Sequence, residues 1–484
     1  MRWLAVVLGS CSWSPEAIED APVRPPVETV EVGHRREFRG VWVATVANIN
    51  WPSRPGLSAA AATDELQRIV DAAADAGFNA LVFQVRPEGD ALYRSSLEPW
   101  SRYLTGEMGR DPGFDPLAEL VARAHARQVE VHAWFNPYRA KSSRAQPAVA
   151  PHVSVTTPDA VHPYGNLLWM DPGSPEVQRR TREVVLDVAR RYDVDGVHFD
   201  DYFYPYPNGR AFPDEATYRA YQASGGALAL ADWRRQNVDA LVGSVAEGLR
   251  AEKAWVRFGI SPFGIYRPGF PAGVTGFDPV THLYADPMRW VERGWVDYVA
   301  PQLYWRIDAP RQPYVPLLQW WATAARGRSH LFAGNFLAGM ETAAWSVDEM
   351  RAQLEETRGA ENLGATGNIF YHIGPILQNR DGVADLFRDE LYARPALTPP
   401  ASGSRPAPAP PLVHADREGW RLVHADPTPL RAFAVYRAAG DAWILDRLLP
   451  AETSELQLPA GRWAVSAVNR FGDESRGVVV RADR

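Results

Sequence analysis

The chain has 484 residues, 51 Lys plus Arg against 58 Asp plus Glu, a formal charge of −7 and one cysteine. At roughly 100–200 residues per domain this length implies two or three domains, and the mild acidity argues against nucleic acid or an anionic membrane surface as the main partner, since either favours a basic face. A single Cys excludes intramolecular disulfides and Cys-based zinc sites, and no stretch approaches the ~18 apolar residues of a membrane-spanning helix.

At the amino terminus Arg2 precedes a short apolar run, Trp3 to Leu8, then Leu8-Gly9-Ser10-Cys11 and a Pro-rich segment to about Pro26. The order resembles a bacterial lipoprotein signal, in which the cysteine after a small residue becomes the lipidated first residue. Residues 1–35 therefore read as a signal segment and linker. The expected address is the periplasm or the outer membrane, with Cys11 as the only membrane anchor.

From Phe38 to Tyr392 short β-branched or aromatic runs alternate with amphipathic segments. Strands are predicted at Gly40 to Thr45, Ala80 to Gln84, Val129 to Phe135, Gly196 to Asp200, Arg257 to Ser261, Tyr298 to Tyr304, Leu331 to Ala333 and Asn368 to Tyr371. Apolar residues recur at helical spacing between them: Leu66, Ile69, Val70 and Ala73; Leu117, Leu120, Val121 and Ala124; Val177, Val184, Val185 and Val188. Further helices are predicted at Leu228 to Ala251, Asp286 to Arg293, Pro316 to Arg326, Val347 to Arg358 and Val383 to Tyr392. About eight strand-helix units over residues 36–392 indicate an α/β fold of the (β/α)8 TIM-barrel type. A doubly wound open sheet is disfavoured because no Gly-rich phosphate loop follows the first strand.

Residues 393–411 are mostly Pro and Ala and read as a semi-rigid linker that packs no core. After it the apolar period becomes two. Strands are predicted at Trp420 to His424, Ala432 to Arg437, Trp443 to Leu448, Glu455 to Leu458, Trp463 to Asn469 and Gly477 to Val480, so residues 412–484 form a small all-β sandwich. The run Trp463 to Asn469 followed by Gly472 resembles the end of a fibronectin type III module.

In a (β/α)8 barrel the reactive groups stand where strands end and the next loops begin. Those ends read Phe83-Gln84-Val85-Arg86-Pro87-Glu88-Gly89-Asp90, Trp134-Phe135-Asn136-Pro137-Tyr138-Arg139, His198-Phe199-Asp200-Asp201-Tyr202-Phe203-Tyr204, Gly259-Ile260-Ser261 and Pro301-Gln302-Leu303-Tyr304-Trp305. Carboxylates, amides and flat rings on one rim are what a carbohydrate site requires, and the chain carries 18 Trp, 18 Tyr and 18 Phe to supply the rings. Asp200 is the first choice for nucleophile or base. Alternation places His198 and Asp200 on one side of the strand and Asp201 on the other, unless the chain has already turned. The proton donor is left open among Asp201, Glu88, Asp90 and Asp286; Glu88 and Asp90 read equally as loop charges, Asp286 as a helix cap. Arg86, Asn136, Arg139, Gln302, Tyr204 and His198 are substrate-positioning candidates, although both arginines also suit pairing with rim acids. Trp134, Tyr138, Tyr202, Tyr304 and Trp305 are candidate sugar platforms, whereas Trp42 reads as core. No cofactor is expected. Metal-dependent hydrolysis or deacetylation is a rival on account of His132, His198 and Asp200, but the first strand lacks a His-x-His and buried, hydrogen-bonded histidines are the simpler reading.

Arg39-Gly40-Val41-Trp42, Phe83 to Pro87, Leu97-Glu98-Pro99-Trp100-Ser101, His132 to Arg139, Asp195 to Pro205 and Ala300 to Trp305 together resemble the glycosyl hydrolase-like 10 family. The resemblance runs through nearly all of residues 36–392. It implies a bacterial envelope protein, often a lipoprotein, with a glycosidase-type barrel; some members resemble or act as glycosidases on peptidoglycan glycan strands. Asp200 and Asp201 fall on the family's most distinctive motif, and Glu88 stands where the family often has Asp. The implied function is hydrolysis of a glycan polymer, with a non-catalytic glycan-binding scaffold as the alternative.

Overall fold

The structure, a computed structural model, describes residues 28–342, 345–403, 405–416, 419–424 and 429–483; Cys11 lies outside them. Eight parallel strands close into a barrel in chain order: β1 Phe38–Val43, β2 Ala80–Arg86, β3 Glu130–Phe135, β4 Gly196–Phe199, β5 Arg257–Ile260, β6 Tyr298–Val299, β7 His330–Asn335 and β8 Ala365–Phe370, with β8 pairing β1. All eight predicted strands are present, and the fold is the expected (β/α)8 barrel.

Local chemistry explains the alternation. Ser58, Asp115, Ser174 and Ser346 each accept a backbone N–H three residues on, capping helices Ala59–Asp75, Pro116–Ala126, Pro175–Arg191 and Val347–Gly359. Pro116 and Pro175 occupy the first helical position, where no N–H is needed. Every residue of β1, β2 and β3 is buried, as strands are when helices cover the outside and side chains fill the inside. The filling is aromatic: Phe38, Trp42, Trp134, Tyr298 and Phe332 share one inner cluster. Gly196 and Gly259 make room for it, because an added Cβ would lie 2.3 Å from the His132 ring and 1.9 Å from the Tyr298 ring.

Two local departures from the predicted elements bear on the rim. β6 stops at Val299 instead of reaching Tyr304, since Pro301 has no N–H for the ladder and Gln302 makes only isolated bridges to Phe263 and Gly334. After β3 the chain forms a three-stranded antiparallel sheet, Arg139–Lys141, Val161–Tyr164 and Leu167–Met170, whose strands are too short to stand out in the sequence.

Two antiparallel sheets make up the C-terminal part. One has the order Thr29–Val30, Gly477–Ala482, Gly461–Asn469, Leu430–Ala439, Ala442–Pro450; the other joins Leu412–Asp416, Gly419–Val423 and Glu455–Leu456. Phe433, Val435, Trp463 and Val465 meet Leu422 and Leu456 between them. Two expectations need correction. Thr29–Val30, assigned to the signal and linker, is a strand of the larger sheet. The Pro/Ala-rich segment is no free linker at its start: Ala396, Leu397 and Thr398 are buried, Glu37 N–H donates to Leu397 O at 3.0 Å and Asn79 Nδ2 to Ala396 O at 3.0 Å. Its extended backbone offers unpaired carbonyls, and the barrel supplies donors to meet them.

These sheets sit under the N-terminal ends of the barrel strands. Glu130, the first residue of β3, accepts Arg431 and the Thr398 hydroxyl (2.7 Å), and Arg470 pairs with Asp193 (2.8 Å) and Asp195 (3.4 Å) just before β4. The opposite face, where the strands end, is left open to ligands.

Candidate active site

At that face a cavity of about 200 Å³ is lined by Asp200 and Asp201, by Trp42, Trp134, Tyr202, Tyr304 and Tyr371, and by Val46, Gln84, Arg139, Ser261 and Gln302. β4 ends at Phe199 and the chain turns at once: Tyr202 N–H donates to Asp200 Oδ1 at 3.3 Å and Phe203 N–H to the Asp201 carbonyl at 3.0 Å. The turn brings consecutive carboxyls onto one cavity wall, which strict alternation would have forbidden.

Asp200 Oδ2 accepts the Trp134 indole N–H at 3.1 Å and the Asn136 amide N–H. The Asn136 amide is itself fixed, because its Oδ1 accepts from Gln84 Nε2 at 2.6 Å and from Arg139 Nη2 at 2.8 Å. Gln84 is held in turn by the Thr45 and Val46 N–H groups, both 2.9 Å from its Oε1. Burial pushes the Asp200 carboxyl up to about 7; the Arg139 cation opposes the rise and the Asp201 charge adds to it. Burial also raises Asp201, against hydrogen bonds from the Tyr206 hydroxyl and Gln302. The wall carries a cation–π contact, with Arg139 5.2 Å from the Tyr202 ring centroid. Tyr304, also in the lining, stacks on Tyr371 at 5.8 Å.

Of the residues singled out in the sequence, Asp200, Asp201, Trp134, Arg139, Tyr202, Gln302 and Tyr304 are brought together, with Asn136 directly behind Asp200. Others lie elsewhere. Glu88 is buried beneath Tyr103 Oη (2.8 Å), Arg102 and Ser142, which outweigh its desolvation and hold it below the usual carboxylate range. Asp90 beside it is fully buried and pushed up to about 7 by burial and by the Glu88 charge, so neither is a loop charge nor a cavity acid. Asp286 caps helix Pro287–Glu292 and accepts Arg289 N–H at 3.3 Å. Arg86 is sealed against Glu98 at 2.5 Å and the carbonyls of Asn136 and Pro137. Tyr138 is buried against Gln178, Tyr204 packs on Tyr284, and Trp305 packs on Phe263. His198 is inside the barrel, between the Trp42 indole N–H (3.2 Å) and the Tyr298 hydroxyl (3.0 Å); burial and nearby His132 keep it neutral. His132 bonds Tyr298 and Glu130. Among the described residues no group of three or more His, Cys, Asp or Glu is placed to hold a metal ion.

Trp42, read as core, is that and also cavity lining. Gln84, Ser261 and Tyr371 were passed over, although each stands at or next to a strand end, the position already used to choose the others. Tyr206 had no such signal, standing several residues into the loop after β4.

Enzymes that break glycosidic bonds are built this way, with carboxyls and flat rings gathered over the strand ends of a (β/α)8 barrel, and the comparisons place this molecule among the glycoside hydrolases. The chain belongs to the glycosyl hydrolase-like 10 family, whose model matches residues 37–345. It is 37% identical over 431 residues to glycosyl hydrolase YngK of Bacillus subtilis (strain 168), covering 84% of this chain and 83% of that one. With glycosyl hydrolase DigH of Escherichia coli (strain K12) it shares 38% identity over 365 residues, 68% of this chain and 80% of that one. Among solved structures, α-L-fucosidase isoenzyme 2 from Paenibacillus thiaminolyticus superposes with a TM-score of 0.48 at 14% identity, over 74% of this chain and 49% of that one.

Proposed function

We propose that this enzyme hydrolyses glycosidic bonds in a polymeric glycan of the bacterial envelope, peptidoglycan glycan strands first, with Asp200 and Asp201 as its working carboxyls. The observation that carries the reading is that both line one cavity walled by indole and phenol rings. The sequence suggested Asp200 as nucleophile or base. A carboxyl near 7 is better matched to giving and retaking a proton at neutral pH. Both strong donors converge on Oδ2, so the proton belongs on Oδ1, which among the described residues accepts the longer bond from Tyr202 N–H. From there Asp200 protonates the leaving oxygen, Asp201 serves as the anion beside it, Gln302 and Arg139 orient hydroxyls, and Trp134, Tyr202, Tyr304 and Tyr371 hold sugar faces.

The lipoprotein-like run ending at Cys11 supports an exported, lipid-anchored protein. For the C-terminal sandwich, sheets of three and four strands in the order first-second-fifth and fourth-third-sixth-seventh support a fibronectin type III-like module, to which Thr29–Val30 adds an outer strand.

Peptidoglycan strands stripped of their peptides provide the test. The wild-type chain is expected to release new reducing ends, and Asp200→Asn to lower the rate ~10²–10⁴-fold with an unchanged melting temperature. Equal rates for the two proteins would remove Asp200 from the chemistry. Strands retained in a pull-down without new ends would make the molecule a glycan-binding scaffold.

A further inference from the structure

Glycosidases that use two protein carboxylates place them on opposite faces of the sugar, ~5–5.5 Å apart for retention and ~6.5–9.5 Å for inversion, so that one attacks or activates water while the other protonates. Here the two carboxyls lining the cavity are consecutive residues on one wall. The rest of the cavity lining contains no further carboxylate. Glu341, on the helical turn Leu337–Thr342 after β7, is turned toward His372 at 3.9 Å and does not line the cavity. Among the described residues the cavity lining thus presents a proton donor and an adjacent anion, with no third carboxylate to act as a protein nucleophile.

We infer that the nucleophile is the carbonyl oxygen of the substrate's own 2-acetamido group, and that Asp201 is the residue that holds that group. The inference rests on the reading of Asp200 and Asp201 given above and specifies its substrate class, a 2-acetamido-2-deoxy sugar at the cleaved bond. In the first step the acetamido oxygen forms a bond to C1 as the bond from C1 to the leaving oxygen breaks, and that oxygen takes the proton of Asp200. Asp201 accepts the amide N–H and its proton as positive charge develops, leaving a neutral oxazoline. In the second step a water loses a proton to Asp200 and adds to C1 from the side the leaving group vacated. The bond from C1 to the amide oxygen breaks, the nitrogen recovers its proton from Asp201, and both aspartates return to their starting states. One water is consumed and the anomeric configuration is retained. Trp42, Trp134 and Val46 are the apolar lining available to the acetamido methyl, and the Tyr206 hydroxyl and Gln302 restrain the Asp201 carboxyl that must meet the N–H.

The full chain is tested on peptide-free glycan strands, native and chemically de-N-acetylated, with the anomer formed first read by NMR and with N-acetylglucosamine thiazoline as inhibitor. Expected are retention of configuration, competitive inhibition by the thiazoline, and a kcat on de-N-acetylated strands lower by ~100-fold or more, since a tethered nucleophile is lost. Asp201→Asn is expected to lose a similar factor and to weaken thiazoline binding. Cleavage with inversion, a covalent glycosyl-enzyme trapped on Glu341 or another carboxylate, or equal rates on both strand preparations would overturn the inference while leaving the hydrolase reading intact. Failure of the hydrolase reading has a different signature, namely no new reducing ends from either preparation.

Discussion

Asn136 cannot turn its amide over without facing two donors with a third, because Gln84 Nε2 and Arg139 Nη2 both point at its Oδ1. Its N–H is thereby fixed on Asp200, and Gln84 and Arg139 act on that carboxyl at one remove. Arg139 also acts directly as a charge. Burial raises the carboxyl and the guanidinium limits the rise to about 7. A donor must be protonated, so kcat/KM is expected to fall as pH climbs past about 7, where the free enzyme loses that proton. In Arg139→Gln the opposing cation is gone, Asp200 keeps its proton to higher pH, and the alkaline limb should move upward by roughly one unit even as the maximum rate drops. Profiles of kcat/KM for the two proteins on the same strands check this. An alkaline limb that stays in place would show that Asp200 is not the titrating group.

At the scale of elements, the barrel strands were legible because each is a short run with all or nearly all of its residues buried, and the capped helices because Ser or Asp, sometimes with Pro, marks their starts. The rim chemistry was legible at β3 and β4 for Trp134, Arg139, Asp200, Asp201 and Tyr202, since distance from a strand end places a side chain, but not for Tyr138, His198 and Tyr204, which turn into the packing instead. It failed at β2, where the pairing with β3 shifts register between Gln84 and Arg86. That bulge aims Gln84 into the cavity and carries Arg86, Glu88 and Asp90 underneath the loop, a reorientation that residue spacing does not encode. The Pro/Ala segment was misread because composition reports what a chain does alone, not which donors await it. Leu397 there is 2% exposed and packs with Ala434, Tyr436, Leu445 and Val468 of the larger sheet. Leu397→Ala is therefore expected to cost about 2–4 kcal/mol in denaturant unfolding. A free linker would show under about 0.5 kcal/mol, as surface substitutions do, and that result would return the segment to the status of a spacer.

Across the whole molecule, the active-site cavity and the C-terminal sheets occupy opposite ends of the barrel, so stability and catalysis draw on separate sets of charges. The junction is built on Glu130, whose side chain is 3% exposed and accepts Arg431, the Thr398 hydroxyl and the His132 ring, with Arg257 3.9 Å away. Desolvation opposes its charge, yet the Arg431 and Arg257 cations hold it far below the usual carboxylate range. Arg431 is nearly as enclosed, 11% exposed, so the pair belongs to the class whose disruption strands a charge out of water. Truncating Arg431→Ala should accordingly destabilise the full chain by about 3 kcal/mol, somewhat softened because Arg257 stays nearby. None of the groups it touches lines the cavity, and the β-strand core between is close-packed and stiff. The rate on glycan strands at a temperature well below the transition should then stay within about twofold of wild type, the usual independence of distant sites. Thermal unfolding and initial-rate measurements on the same preparation separate the two quantities. A large loss of rate with little change in melting temperature would mean that the floor of the barrel reaches Asp200 through the inner rings, Glu130 to His132 to Tyr298 to His198 to Trp42.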